Sequence, residues 1–165
     1  MRIFSASVVG FPLFGLLLVS FCMLTGCSQQ NKPKDLPRLY ERSITFTQEG
    51  APLQGSVVFL APVGESKWNA SGSTNDQGVA VLYTQGQYKG VAEGTYKVTV
   101  CKETCEVQVT PSPRGDPIEK TIFYSHVDLQ YKDVDTTPLE VTITAKMEPL
   151  KFDVGPAKQT LIRNP

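Results

Sequence analysis

Alternation with period two, cut into short lengths by turn residues, limits this chain to strands. Tyr96, Val98 and Val100 alternate with Thr95, Lys97 and Thr99, so an extended backbone sends the two sets to opposite faces. The pattern recurs in Ile44 and Phe46 against Ser43, Thr45 and Thr47, and in Val107 and Val109 within Glu106–Thr110. It returns in Leu139, Val141, Ile143 and Ala145, and in Leu150, Phe152 and Val154. Two short apolar runs, 56–60 and 79–83, suit strands buried between layers, and Trp68–Ser73 reads as a weaker strand. Asn75-Asp76-Gln77-Gly78 and Gln48-Glu49-Gly50-Ala51-Pro52 carry the residues that tight reversals need. About seven or eight strands spaced by turns predict an all-β fold, an antiparallel β-sandwich.

Ahead of the strands, the apolar run from Val8 to Leu24 follows a single charge, Arg2, and closes on Met23-Leu24-Thr25-Gly26-Cys27. This is the layout of a cleaved secretory signal, and its end resembles the lipobox of bacterial lipoproteins. That resemblance implies cleavage after Gly26, a diacylglycerol thioether on Cys27 and a third acyl chain on the new amino group. Two or more acyl chains make a stable membrane anchor without a spanning helix. Ser28, where Asp would retain the protein at the inner membrane, implies an outer-membrane destination by resemblance to Gram-negative sorting. Residues 1–26 are thus expected to be a lipoprotein signal, and 27–42 the lipidated cysteine with a Pro-containing flexible tether. Residues 43–154 would form the sandwich and 155–165 a fraying tail.

Without residues 1–26, the 16 basic and 16 acidic side chains of the chain become 15 and 16, a net charge of −1. Nothing in that balance steers the domain to nucleic acid. Of four cysteines, Cys22 leaves with the signal and Cys27 is acylated. Cys101 and Cys105 remain, in a compartment that normally oxidises such a pair. Pairing Val100 with Cys105 across a Cys101–Thr104 turn sets Val98 beside Val107 and Tyr96 beside Val109, matching the apolar faces. A Cys101–Cys105 disulfide would then clamp the hairpin end, stabilising it by at most about 2 kcal/mol. A redox or metal role for the pair lacks both a C-x-x-C spacing and a histidine partner.

Three ordered stretches carry a further resemblance. Gly50-Ala51-Pro52-Leu53-Gln54-Gly55-Ser56-Val57-Val58-Phe59, then Gly72–Ala80 with its Thr74-Asn75-Asp76-Gln77-Gly78 turn, then Gly90-Val91-Ala92-Glu93-Gly94-Thr95-Tyr96-Lys97-Val98-Thr99-Val100 resemble the carboxypeptidase regulatory-like domain. Tyr131–Ile143 resembles the closing strand of small bacterial lipoproteins with that domain. The resemblance implies a transthyretin-like or Ig-like sandwich, with a binding or structural role rather than catalysis. Ser56 stands where the family often has Ala. The Pro-containing connection 111–130 is long enough to cover a sheet edge or form a lid.

Catalysis finds little material. The transthyretin-like hydrolase that opens 5-hydroxyisourate, the third reading, uses several histidines and a C-terminal Tyr-Arg-Gly-Ser; this chain has His126 and closes on Leu161–Pro165. One histidine cannot build the usual zinc ligand sets, so no metal or cofactor is expected. Ser125, His126 and Asp128 evoke a nucleophile and base, yet adjacent residues of a strand face opposite ways. Asp128, Asp133 and Asp135 lack the Gly and terminal Glu of a calcium loop and read as a solvated turn. Trp68, Tyr83 and Tyr88 are the candidate ligand surface, a stacking platform for a sugar, although strand aromatics mostly serve packing. The expected function is a lipid-anchored, non-catalytic binding or structural module of the cell envelope. The alternative is a glycan- or peptide-binding accessory lipoprotein using exposed aromatics or a sheet edge. Its expected partners are the membrane and an envelope protein or glycan.

Overall fold

Residues 32–113 and 115–163 are described by the computed structural model. Cys27 and the apolar run before it lie outside the described residues. The chain divides into a unit up to Leu36 and one from Pro37 onward. In the first, a turn is closed by the Leu36 N–H donating to the Pro33 carbonyl at 3.1 Å.

The second unit is made of short strands: β1 (Leu39–Tyr40), β2 (Ser43–Gln48), β3 (Ala51–Pro52), β4 (Val57–Pro62), β5 (Ala70–Ser73), β6 (Val79–Val81), β7 (Tyr83–Thr84), β8 (Tyr88–Lys89), β9 (Val91–Ala92), β10 (Gly94–Cys101), β11 (Glu103–Thr110), β12 (Ile118–Ser125), β13 (Glu140–Ile143), β14 (Leu150–Asp153) and β15 (Thr160–Arg163). One sheet runs β13-β10-β4-β5-β7-β8, and a second runs β14-β2-β3 with β6 also on β2. Ile44 and Phe46 of the second sheet meet Val58, Leu60, Tyr96, Val98, Val100, Val141 and Ile143 of the first in one buried core. This is the expected all-β sandwich. The alternation of β10 holds, with Tyr96, Val98 and Val100 inside.

Turn chemistry also acts where the sequence places it. Glu49 and Gly50 both have positive φ between paired Gln48 and Ala51, which is the twist that a two-residue hairpin requires. The Asn75 side chain accepts from Gln77 N at 3.0 Å and Val79 N at 2.9 Å. Gly78 follows at φ +73°, and a Cβ there would lie 2.4 Å from the Phe46 carbonyl oxygen, so only glycine fits.

Five expectations change. The run 79–83 is not one strand: β6 pairs β2 and β7 pairs β5, so the chain changes sheets at buried Leu82. Such breaks raise the number of strand segments above the expected seven or eight. Strand β14 lies parallel to β2, with Leu150 opposite Ile44 and Phe152 opposite Phe46, although the expected sheets were antiparallel. The tether ends earlier than residue 42, because Leu39 and Tyr40 pair with Ala92 and Val91. The tail is partly ordered, since Thr160–Arg163 pairs with β12.

The fifth change is the hairpin. β10 is bonded to β4 on one side, and on the other β13, Leu139 and Thr137 take the edge from Gly94 to Val98, so the positions where Val107 and Val109 would pair are already filled. The chain passes Lys102 and enters a third sheet, β11-β12-β15. There Cys105 faces Phe123 rather than Val100. Residues 101–104 contain no Gly, Pro or Asn to make a tight reversal. The reversal comes instead at the Pro- and Gly-bearing stretch 111–117, and the connection read as a cover or lid supplies β12. Cys101 and Cys105 are free thiols. An unbent strand would carry them about 13 Å apart over four residues, roughly twice the span of a disulfide.

Tyr96 anchors the start of β10. It is buried, and its hydroxyl donates to the Ala92 carbonyl at 3.0 Å, like the corner tyrosines of other sandwiches. Tyr96→Phe removes that bond and should cost about 1 kcal/mol in chemical denaturation. An unchanged midpoint would remove the bond from the stabilising set.

Acid should weaken the fold in a way traceable to Asp153. Its carboxylate accepts from Thr47 Oγ1 at 2.7 Å, Gly50 N at 3.1 Å and Gly155 N at 2.8 Å. These bonds, Thr47 foremost, hold its pKa below the ordinary 3.8. Lys158 does the same for Asp128, and Lys132 for Glu103. A folded-state pKa below the unfolded one gives stability that is present above the unfolded value and lost as pH falls through the folded one. Thermal melts should therefore drop as pH falls below about 4. Asp153→Asn should melt lower at neutral pH and lose less on acidification; an acid slope identical to wild type would contradict the assignment.

Candidate functional site

The structure buries two of the three rings of the aromatic platform read from the sequence. Trp68 and Tyr88 are 9% and 8% exposed, whereas Tyr83 is 38% exposed. The Trp68 ring is also covered by Lys67 Nζ, 5.0 Å from its centroid. Large aromatic rings contribute most when removed from water, and two of the three are used that way. Tyr83 stays at a groove of about 410 Å³, where Ser71, Ser73 and Asn75 also line the wall. One half-exposed ring does not make a stacking platform.

The serine, histidine and aspartate likewise separate. Buried Ser125 donates its hydroxyl to the Val127 carbonyl at 2.7 Å. His126 Nε2 lies 2.7 Å from Thr104 Oγ1. Asp128 caps the 3₁₀ turn Leu129–Tyr131 by accepting from Gln130 N and is ion-paired with Lys158. Asp133 accepts from Asp135 N at 2.9 Å. Among the described residues no group of three His, Cys, Asp or Glu side chains is placed to hold a metal.

Cys101 forms a small polar cluster where β10 passes into β11. Its Sγ donates to Glu103 Oε1 at 3.2 Å, and that oxygen pairs with Lys132 Nζ at 2.5 Å. Burial first, then the bond to and charge of Glu103, push the Cys101 thiol up to about 11. Glu103 and Lys132 also line a groove of about 220 Å³ with Phe123 and Ile162.

Beyond this cluster, β11 leaves the core. All of its residues from Glu103 to Thr110 are exposed, including Val107 at 55% and Val109 at 59%. Strand β12 covers one side with a full register, from Glu103 opposite Ser125 to Thr110 opposite Ile118. No described strand pairs the other side. Cross-strand positions share a face, so Cys105, Val107 and Val109 stand with Phe123, Thr121 and Glu119. Thr104, Glu106, Gln108 and Thr110 occupy the reverse face with Tyr124, Ile122, Lys120 and Ile118. An eight-residue strand with a bare edge and no Pro or Lys is a template for another strand. The sequence carried half of this signal, in the alternation of Val107 and Val109. Assigning them to a hairpin with β10 had placed them in the core.

No protein-family model matches the chain, and no curated protein does. Among solved structures, a 9R-lipoxygenase from Cyanothece PCC8801 aligns over 78% of this chain and 18% of its own, at 12% identity and a TM-score of 0.30. That likeness is too slight to carry an argument about fold or activity.

The two free thiols should differ in reactivity. A thiol whose pKa is about 11 is almost wholly protonated at neutral pH. With iodoacetamide in mildly alkaline buffer, Cys101 should alkylate roughly a hundredfold more slowly than an unperturbed exposed thiol. Exposed Cys105 should label first, as read by mass spectrometry of quenched time points. Equal rates would contradict this environment, and labelling of both only after reduction would show a disulfide instead.

Proposed function

We propose that the chain is a lipid-anchored, non-catalytic binding module of the bacterial cell envelope that engages protein through the β11 edge. The observation that carries the reading is that edge: a long, apolar-faced strand, paired on one side and exposed along its length. The lipobox-like Met23–Cys27 supplies the anchor, and the ordered motifs of 50–100 supply the resemblance to carboxypeptidase regulatory-like sandwiches, which serve as accessory rather than catalytic domains. A sandwich hosts many activities, so the surface must identify the role. Burial of Trp68 and Tyr88 takes away the rings that a glycan would stack on.

Two measurements test the two halves of this reading. Cys27→Ser should move the protein from the detergent phase to the aqueous phase; wild-type protein already in the aqueous phase would overturn the anchor. A photo-cross-linking residue at Val109 should give protein adducts in intact cells. The same residue at Val57 of β4, also exposed, should give none. Equal adducts from both sites, or none from Val109, would overturn the β11 surface.

A further inference from the structure

The order of residues along β11 is complementary to itself, and from this we infer that the occupant of its free edge is a second copy of the same strand, antiparallel about a two-fold axis at Val107. The inference rests on the reading of β11 as a binding edge and names its partner. In an antiparallel pair, opposed residues share a face, so a one-residue slip sets apolar side chains against polar ones. With Val107 opposite the partner's Val107, Cys105 meets the partner's Val109 and Glu106 meets the partner's Gln108. Thr104 then meets the partner's Thr110. Every apolar residue of the face lies beside another, and no carboxylate opposes a carboxylate.

Neighbouring registers fail on one of these criteria or run off the strand. Centring the pair between Glu106 and Val107 places Glu106 against valine and Cys105 against glutamine. Centring it on Glu106 sets two carboxylates directly opposite, which destabilises a pair. Centring it on Gln108 carries Cys105 past the strand end to Pro111, which has no N–H to share. The Val107 register meets both criteria and uses Thr104 to Thr110 on both copies. Lys120, cross-strand from Gln108, then flanks the position where the partner's Glu106 arrives. The two three-stranded sheets join as one sheet of six, β15-β12-β11 followed by its two-fold image, which removes both free β11 edges.

Thiol cross-linking of the full-length, membrane-bound chain tests the register. In a Cys101→Ser/Cys105→Ser background, Val107→Cys puts two thiols opposite each other on the axis, within reach of a cross-linker of about 5 Å span. A covalent homodimer should form. Val109→Cys in that background stands about 13 Å from its own image and should give no dimer. Val109→Cys with Cys105 retained should restore it. Val107→Lys, at an exposed position, sets like charges on the axis. It should lower the mass of the detergent-solubilised protein from dimer to monomer, with its melting temperature measured alongside to show that the fold persists. Monomeric wild-type protein, or equal cross-linking at 107 and 109 in the double-serine background, would overturn the second copy. If photo-adducts from Val109 then contain a different protein, the edge is a binding site with another occupant; if there are none, the edge reading falls as well.

Discussion

Strand β10 is the constraint that the rest of the molecule obeys. Its inward residues Tyr96, Val98 and Val100 lie in the core, and both of its edges are bonded, Tyr96–Cys101 to β4 from Pro62 to Val57 and Gly94–Lys97 to β13 from Ile143 to Glu140. Side chains reinforce both pairings. Lys97 reaches Glu140 at 3.2 Å, Thr95 meets Thr142 at 3.1 Å, and Thr137 donates to the Val98 carbonyl at 2.6 Å. A strand bonded on two sides and buried on one face cannot accept a third neighbour. Whatever follows Cys101 must therefore pair elsewhere, and this forces β11 into a sheet of its own.

The same reasoning explains what was legible in the sequence. Turns could be read because their chemistry is local: Asn75 caps the backbone within four residues of itself, and Glu49-Gly50 reverses the chain between adjacent residues. The inward face of β10 could be read because alternation is local too. The partner of each strand could not, since pairing is decided by which edges other strands have already filled. Continuous alternation from Val79 to Thr84 conceals a change of sheet at Leu82, where burial stays in phase while the hydrogen-bonding partner changes. At Lys102 the misreading ran the other way. The apolar phase shifts from Val100 to Cys105, which suits a hairpin as well as a strand that leaves the core, and only the absent turn residues at 101–104 distinguish the two.

The candidate surface shows a similar division. Trp68, Tyr83 and Tyr88 drew notice by residue type, yet residue type cannot say which side of a sheet a ring occupies. Tyr83 and Tyr88 lie on neighbouring strands β7 and β8 and still differ in exposure. The surface that does stand open is made of Val, Thr, Gln and Glu, common strand residues with no chemical signature. Its significance comes from topology, because β11 has one partner where β10 has two.

A lipid anchor would alter what such an edge needs in order to function. Pairing along a seven-residue stretch buries little beyond backbone and a few valines, and an isolated two-stranded contact is marginal in water. Copies tethered to one membrane meet at an effective concentration set by tether length rather than by their bulk amount. Tyr40 pairs with Val91, so with an acyl anchor at Cys27 the connecting segment would be shorter than the one expected to run to residue 42, and a shorter tether would confine each domain to a thinner layer above the bilayer. Under that confinement the edge would be occupied more fully than on a freely diffusing domain, and mixed Glu106, Gln108 and Lys120 favour the one register that keeps opposite charges near and like charges apart. Exposed β11 would be an aggregation liability on a freely diffusing domain; held at a surface, the same strand has a restricted set of encounters.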